Sequence, residues 1–143
     1  MKQTLLTLFL LISIGLSQEY NLDELVERDG LYFEKYSDKP IRGKVYKMFG
    51  NKKVIMGSLV NGKLNGKWTY WYENGQKSSE ETYKDGKEDG LVTLWYANGQ
   101  KEYVGTYKDG KIDGLYTHWY ENGQKKWEGT YKDGKQIGKT KWY

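Results

Sequence analysis

Few residues of this chain have side chains that could do chemistry. Its 143 residues include no cysteine and one histidine, His118, which excludes cysteine nucleophiles, thiolate metal sites and multi-histidine metal clusters. Aspartates recur at Asp85, Asp109 and Asp133, but each precedes a glycine in a turn sequence that already accounts for it. We therefore expect no enzyme activity, no metal and no cofactor.

Aromatic residues recur in rows whose spacing could form a binding surface. The rows comprise Tyr72, Tyr96 and Tyr120 together with Trp71, Trp95 and Trp119. Rings at regular intervals could stack on the sugar rings of a glycan. The alternative is that these rings form the core, because small repeats have little else to bury. The two interpretations differ in whether the rings are exposed.

Lysines recur beside one set of predicted turns. They are Lys84, Lys87, Lys108, Lys111, Lys132 and Lys135. Each pair flanks an Asp-Gly sequence and leaves one net positive charge per turn, which gives a basic edge that could contact anionic lipid. Lysines at hairpin tips also keep strands soluble. Along the whole chain 23 Lys and Arg residues are interleaved with 19 Asp and Glu residues, which argues against a nucleic-acid partner.

An internal repeat organises most of the chain. The run Asn-Gly-Gln-Lys begins at Asn74, Asn98 and Asn122, and the run Tyr-Lys-Asp-Gly-Lys begins at Tyr83, Tyr107 and Tyr131. Both runs recur at a fixed interval, from residue 74 to residue 98 and onward, as in repeat architectures. Full copies occupy residues 66–89, 90–113 and 114–137, inside an array over residues 43–143 that has degenerate ends. Residues 18–42 form an N-terminal segment before the array.

The two runs predict the turns of β-hairpins. Asn-Gly and Asp-Gly between aromatic and β-branched residues favour type I′ turns, in which both central residues have positive φ. Two-residue turns pair residues whose numbers sum to 149 across Asn74-Gly75 and to 171 across Asp85-Gly86. The predicted fold class is all-β: an elongated single-layer antiparallel β-hairpin repeat array of about ten strands, forming an open curled ribbon, with a closed barrel as the alternative.

This register places a continuous aromatic surface on one face of the sheet and leads to three further expectations. Glycine faces glycine across strands, as at Gly105 and Gly114, which leaves room for a neighbouring ring over bare backbone. The unequal spacing of the turns makes the sheet advance on a slant, by about two residues per repeat. His118 lies across from Trp127 as a structural ring, with pH sensing as the alternative.

The two ends of the chain carry separate expectations. Residues 1–17 combine Lys2, an apolar run and the small residue Ser17, which predicts a signal peptide cleaved near Ser17. The product is then exported, periplasmic or extracellular, and is not a lipoprotein because no cysteine follows; an uncleaved membrane anchor is the alternative. Tyr143 falls in mid-repeat, so we expect an unpaired strand edge that could recruit a second copy or a partner strand.

Residues 29–143 resemble the bacterial MORN repeat variant, and specifically the YwqK-type antitoxin family. The resemblance depends on Asp29-Gly30-Leu31-Tyr32 with Pro40 and Gly43, and on the run from Gly66 to Lys77 and its copies. It implies a single-layer β-hairpin array with roles in protein interaction, membrane or phosphoinositide contact, or toxin neutralisation.

The sequence therefore predicts an exported, non-catalytic scaffold that binds an unidentified protein of the cell envelope. The alternative is a module that binds carbohydrate or an anionic membrane surface through its aromatic face or its lysine edge. An antitoxin or immunity role is a third possibility, and it follows from the resemblance alone.

Overall fold

The structure is a computed structural model that describes residues 18–143 and contains twelve β-strands and one 3₁₀ turn, Leu22–Glu24. The predicted signal peptide, residues 1–17, lies outside the described residues. The strands are β1 (Glu19–Asn21), β2 (Leu25–Arg28), β3 (Leu31–Glu34), β4 (Gly43–Phe49), β5 (Lys52–Val60), β6 (Lys63–Trp71), β7 (Lys77–Lys84), β8 (Lys87–Trp95), β9 (Lys101–Lys108), β10 (Lys111–Trp119), β11 (Lys125–Lys132) and β12 (Lys135–Trp142). Across residues 18–143 we find no helix with the length and apolar character needed to cross a membrane.

The strands form one open ten-stranded sheet and one separate hairpin. The sheet runs in the order β1-β4-β5-β6-β7-β8-β9-β10-β11-β12, and β2 pairs with β3 in the separate hairpin. The predicted all-β hairpin array is confirmed, and the sheet does not close into a barrel. One pair departs from the antiparallel prediction, because β1 runs parallel to β4. The outer edge of β12 pairs with no strand among residues 18–143; recruitment of a second copy there stays a prediction.

The Asp-Gly turns have the predicted type I′ conformation, whereas the Asn-Gly turns do not. Asp85 and Gly86 both have positive φ, 51° and 83°. At the other turn only Gly75 does, and the Gly75 N–H donates to the carbonyl of Tyr72 at 3.0 Å. The loop therefore has three residues, a type I turn followed by a glycine bulge. The side chain of Asn74 selects it by accepting the N–H of Gln76 at 3.0 Å.

The predicted pairing of β6 with β7 across the Asn-Gly loop holds except next to the loop itself. Gly66 pairs with Tyr83 and Tyr70 with Ser79, both summing to 149, but Trp71 pairs with Lys77. Next to the three-residue loop, the numbers of paired residues sum to one less than predicted. A bulge between the Trp71–Lys77 pair and the Tyr70–Ser79 pair restores the predicted sum.

The predicted pairing across the Asp-Gly turn is wrong beyond its first two pairs. Tyr83 pairs with Glu88 as expected, but the next pair is Glu81 with Val92, so β8 contains two extra residues. Gly90 lies in this bulge with φ 135°, a conformation that L side chains rarely adopt. A Cβ there would also lie 2.9 Å from Cβ of Thr82.

These bulges remove the predicted slant of the sheet. Trp68 pairs with Glu81, which pairs with Val92; Val92 pairs in turn with Gly105, which pairs with Tyr116. Equivalent residues of successive repeats therefore lie in straight columns, because the two extra residues of each bulge take up the difference between the turn spacings. The expectation of a slanted sheet was wrong.

The expectation that glycine faces glycine was also wrong, although the expected room above glycine exists. Gly105 pairs with Val92 and Tyr116 and not with Gly114. The Tyr116 ring lies over its bare backbone, since a Cβ on Gly105 would be 2.9 Å from Cδ2 of Tyr116. At Gly105 the shifted register thus puts a ring, and not a second glycine, on the opposite strand.

The hydrophobic core lies at the N-terminal end of the array. Its buried side chains are Ile41, Val45, Met56, Leu59 and Trp68, against which Tyr20, Leu22, Leu25 and Tyr32 of the N-terminal segment pack. The Trp68 indole N–H donates to the carbonyl of Ser58 at 3.1 Å. Beyond Trp68, Val92 is the only buried hydrophobic side chain in the described part of the chain. Burial therefore decreases along the array.

Candidate binding surfaces

The predicted tyrosine row joins successive repeats. The Tyr72 hydroxyl donates to the carbonyl of Trp95 at 2.7 Å, and the Tyr96 hydroxyl donates to the carbonyl of Trp119 at 2.8 Å. The straight columns bring each tyrosine beside the equivalent loop of the next repeat. Tyr120 makes no such bond among the described residues and is 44 % exposed. The stacking of sugars on this row stays a prediction, and only Tyr120 presents a largely exposed ring.

Asparagines of the same loops make a second bond between repeats. The Asn74 amide donates to the carbonyl of Ala97, and the Asn98 amide donates to that of Glu121, both at 2.8 Å. We call these and the tyrosine bonds the inter-repeat bonds. Each loop is thereby fixed to the next, which gives the edge of the sheet a regular spacing.

The tryptophan row has no single environment. Trp71 packs against the N-terminal core, whereas Trp95 and Trp119 are half-buried. The ammonium group of Lys77 lies 5.7 Å from the ring centroid of Trp95, a cation–π contact at a partly exposed site. The row is therefore divided between core and surface.

A stack of rings covers one face of the sheet, which we call the aromatic face. Its residues include Trp68, Tyr70, Tyr83, Tyr103, Tyr116 and Trp127. The rings of Tyr103 and Trp127 stack on opposite sides of Tyr116, with centroids 5.0 and 5.1 Å away. Burial raises the pKa of Tyr116 to about 12. The stack gives the later repeats a half-buried surface of contiguous rings.

His118 belongs to this stack. It pairs with Trp127, as predicted, with ring centroids 5.8 Å apart and planes inclined by 11°. Its Nδ1 is buried and has no hydrogen-bond partner in the described structure. Burial lowers the pKa of His118; Lys126 lowers it further, and Glu102 opposes this. The imidazole is therefore held in its neutral form as a flat ring.

The predicted lysine edge is exposed but partly neutralised. Its lysines face one another as cross-strand pairs, Lys84 with Lys87, Lys108 with Lys111 and Lys132 with Lys135. Asp113 lies beneath this edge; it pairs with Lys132 at 2.8 Å and accepts the N–H of Asp133 at 3.4 Å. The hydrogen bond from Lys132 holds the pKa of Asp113 below its ordinary value.

A row of exposed apolar residues lies on the opposite face of the sheet and was not predicted. We call the face that carries Thr93 and Thr117 the outer face, and Leu91, Leu115 and Ile137 the outer apolar row. These three side chains are 53 %, 55 % and 51 % exposed. Leucine at two equivalent positions of successive repeats, 91 and 115, was the available sequence signal, since alternation in the strands places those positions away from the aromatic face.

Within residues 18–143 no group of three or more His, Asp or Glu side chains is arranged to hold a metal ion. The geometry offers surfaces of rings, lysines and aliphatic side chains. Such surfaces suit binding.

Comparison with known families identifies the repeat. The family described as MORN repeat variant matches residues 64–85, 88–109 and 112–133. Each match begins two residues before a copy assigned from the sequence, in β6, β8 or β10, and ends at the aspartate of an Asp-Gly turn. A comparison with curated proteins found no match, and the YwqK-type assignment stays a prediction. These three segments of the chain are therefore MORN repeats of the variant type.

Proposed function

We propose that this protein is an exported, non-catalytic scaffold that binds a protein of the cell envelope through the outer face of its sheet. MORN repeats are commonly protein- or membrane-interaction modules. The observation that carries the proposal is the outer apolar row. Leu91, Leu115 and Ile137 occupy alternate strands of the sheet, so neighbouring members lie roughly 10 Å apart, and each is more than half exposed.

The surroundings of this row resemble the composition of a protein interface. Leu91 pairs with Thr106, and Leu115 pairs with Thr130, which in turn pairs with Ile137. Aliphatic side chains are thus separated by short polar ones. A partner can bury the aliphatic groups and form hydrogen bonds with the hydroxyls, in the way that interfaces combine an apolar centre with polar surroundings.

Export is tested by locating the full chain in its native host. A chain with a C-terminal tag is recovered from separated cytoplasmic and envelope fractions, and its mass is measured. We expect an envelope product that begins at Gln18. Recovery of an intact chain from the cytoplasm would show that export is wrong and leave the binding proposal to be tested separately.

Binding is tested by photo-crosslinking in the same host. A photoreactive amino acid replaces Leu115 in the outer apolar row or, as a matched control, Met48, which is 39 % exposed on β4. We expect a defined protein adduct from position 115, absent from position 48, that decreases when Leu91 and Ile137 are changed to Ser. Equal adducts from both positions, or an adduct that the Ser changes leave unaltered, would contradict the outer-face proposal.

A second candidate function is contact with an anionic membrane surface through the lysine edge. Like charges placed directly opposite each other destabilise a strand pair, yet this sheet does so at Lys84, Lys108 and Lys132 and their partners. Co-sedimentation with phosphatidylglycerol vesicles, compared with phosphatidylcholine vesicles, tests it. Changing Lys108 and Lys111 to Gln should reduce binding, whereas the same change at Lys44 and Lys52 should not; equal effects would show non-specific attraction.

A further inference from the structure

On β7, two residues of the aromatic face set the first full repeat apart from the other two. Ser79 occupies the position of Tyr103 and Trp127, and Glu81 occupies the position of Gly105 and Gly129. Both lie on β7, where Ser79 pairs with Tyr70 and Glu81 with Trp68. One repeat has therefore lost a stacking ring and gained a carboxylate at adjacent positions of the same face.

The missing ring leaves an open depression of about 520 Å³. It is lined by Tyr70, Tyr72, Ser78, Ser79, Glu81 and Leu94. In the later repeats the corresponding space is filled, since Tyr103 stacks on Tyr116 at 5.0 Å. Ser79 lies between Tyr70 and Leu94, its partners on the two neighbouring strands. Its small side chain does not fill the space between them as a ring would. One side of the depression is thus aromatic and the other aliphatic.

The depression also contains a carboxylate that no cation neutralises. The Tyr83 hydroxyl donates to Glu81, and none of the Lys and Arg side chains in residues 18–143 lies within ion-pair distance of it. The adjacent Glu80 points to the outer face, where it binds Lys67 at 2.9 Å and Lys77 at 2.8 Å. These neighbouring lysines are therefore engaged on the other side of the sheet.

The negative charge of Glu81 contributes to raising the pKa of the neighbouring tyrosines. Burial, together with the charges of Glu81 and Tyr32, raises the pKa of Tyr70 to about 12. Burial and Glu81 also raise the pKa of Tyr83. These phenols stay neutral at any ordinary pH, so they offer a cation their ring faces and hydroxyl oxygens.

We propose that this depression binds the guanidinium group of an arginine side chain in a peptide segment, with the planar group over Tyr70 and its charge on Glu81. Guanidinium is planar, stacks on aromatic faces and pairs with carboxylates through two parallel hydrogen bonds. It therefore matches both features by which this repeat differs, because it fills the place of the absent ring and neutralises the added carboxylate. A lysine ammonium supplies the charge without the flat surface.

The site lies on the aromatic face, opposite the outer apolar row, so it is independent of the function proposed above. Its test is a titration of the ¹⁵N-labelled chain with N-acetyl-arginine amide, followed by backbone amide shifts. N-acetyl-citrulline amide, nearly identical in shape but uncharged, and N-acetyl-lysine amide are the matched ligands. We expect arginine to shift the amides of Tyr70, Ser79 and Leu94, and both comparison ligands to bind more weakly.

Three variants assign the interaction to the depression. Glu81→Gln should weaken arginine binding by about tenfold or more, because a charged hydrogen-bonded pair is lost. Glu80→Gln makes the same change in net charge one residue away on the outer face and should leave it unaltered. Ser79→Tyr, which restores the ring of the later repeats, should abolish binding.

The unshifted remainder of each spectrum reports whether a variant is folded. If Ser79→Tyr proves unfolded, the comparison of Glu81→Gln with Glu80→Gln still decides the question. Equal binding of arginine and citrulline, equal binding of lysine, or equal effects of the two glutamate changes would overturn the proposal. Crosslinking from Leu115 is unaffected by any of these results, so the two proposals can fail separately.

Discussion

On the aromatic face, rings pack over the bare backbone of glycines. At Gly57 a Cβ would collide with the Trp68 indole, closer than real Cβ atoms approach other atoms, whereas at Gly129 the nearest atom, Cε2 of Tyr131, is 3.4 Å away. Neither glycine has positive φ. Overlap with the ring, and not backbone strain, therefore decides what alanine does at each position.

We expect Gly57→Ala to lower the free energy of unfolding by about 1–3 kcal/mol, the usual effect of overpacking. Gly129→Ala should instead be neutral or stabilising by up to about 1 kcal/mol, because alanine loses less conformational freedom than glycine in a strand. Urea unfolding of both variants provides the measurement. Similar losses at the two positions would indicate that the ring contact is not what requires glycine.

His118 should make the folded state sensitive to mild acid. Its pKa is lowered by burial and by Lys126, so the unfolded chain binds a proton more readily than the folded chain does. Stability therefore falls as pH decreases through the ordinary histidine range of about 7.5 to 5. His118→Tyr, which places the residue of Tyr70 in the same column, should reduce this dependence.

The measurement is the midpoint of urea unfolding for both proteins at several pH values in that range. Carboxylates contribute to the pH dependence of both proteins alike, so the difference between them reports His118. An unchanged slope in the variant would show that the imidazole titrates as freely in the folded chain as in the unfolded one.

At the scale of the elements, the inter-repeat bonds determine how hairpins align. The Tyr96 hydroxyl donates to the carbonyl of Trp119 at 2.8 Å, whereas Tyr120 has no equivalent bond within residues 18–143. Tyr96→Phe should lower the free energy of unfolding by about 0.5–1.5 kcal/mol, the net value of one hydrogen bond. Tyr120→Phe, the same chemical change, should have little effect. Equal losses would assign the effect to the phenol ring's surroundings and not to the bond.

The conformations of the turns show how far local sequence determines this fold. Asp85-Gly86 forms the type I′ turn that its sequence predicts, and the Gly86 N–H donates to the carbonyl of Leu64 at 2.9 Å without changing the turn type. Asn74-Gly75 has the same signal but a different loop, since the Asn74 side chain bonds to the Gln76 N–H. The bulge at Gly90 is less local still, because the adjacent Asp89 accepts the N–H of Asp109 in the next turn, at 3.4 Å. Pairing beyond the first residues of a hairpin thus depends on the neighbouring repeat.

The candidate surfaces were harder to predict, for a physical reason. Residues that recur in every repeat, such as Tyr72 and Tyr96, meet the same need in every repeat, and here that need is the bond between repeats. Residues that differ from their equivalents in the other repeats, such as Ser79 and Glu81, do not serve that common need. A binding site unique to one part of an array is therefore expected where the repeat fails, and its shape depends on which ring is missing.

On the scale of the whole molecule, the buried core that stabilises the fold lies at the N-terminal end, and the later repeats extend from it. The array strands contact mainly their sequence neighbours, and the buried core lies where the N-terminal segment meets β4 to β6. Repeats of this kind behave as nearly independent units joined by nearest-neighbour interfaces. The N-terminal segment then acts as the cap from which later hairpins extend.

Removal of one internal repeat should therefore leave a folded protein. Deleting residues 90–113 joins Asp89 to Gly114, which recreates the local sequence of a repeat and places Tyr72 beside Trp119 in the role of Trp95. We expect cooperative unfolding with a denaturant slope reduced by about a fifth, in proportion to the surface lost. Deleting residues 18–42, a segment of similar length, should instead unfold the chain, because it exposes Val45, Leu59 and Trp68. If the internal deletion unfolded the chain as completely, stability would have to arise from the array as a whole.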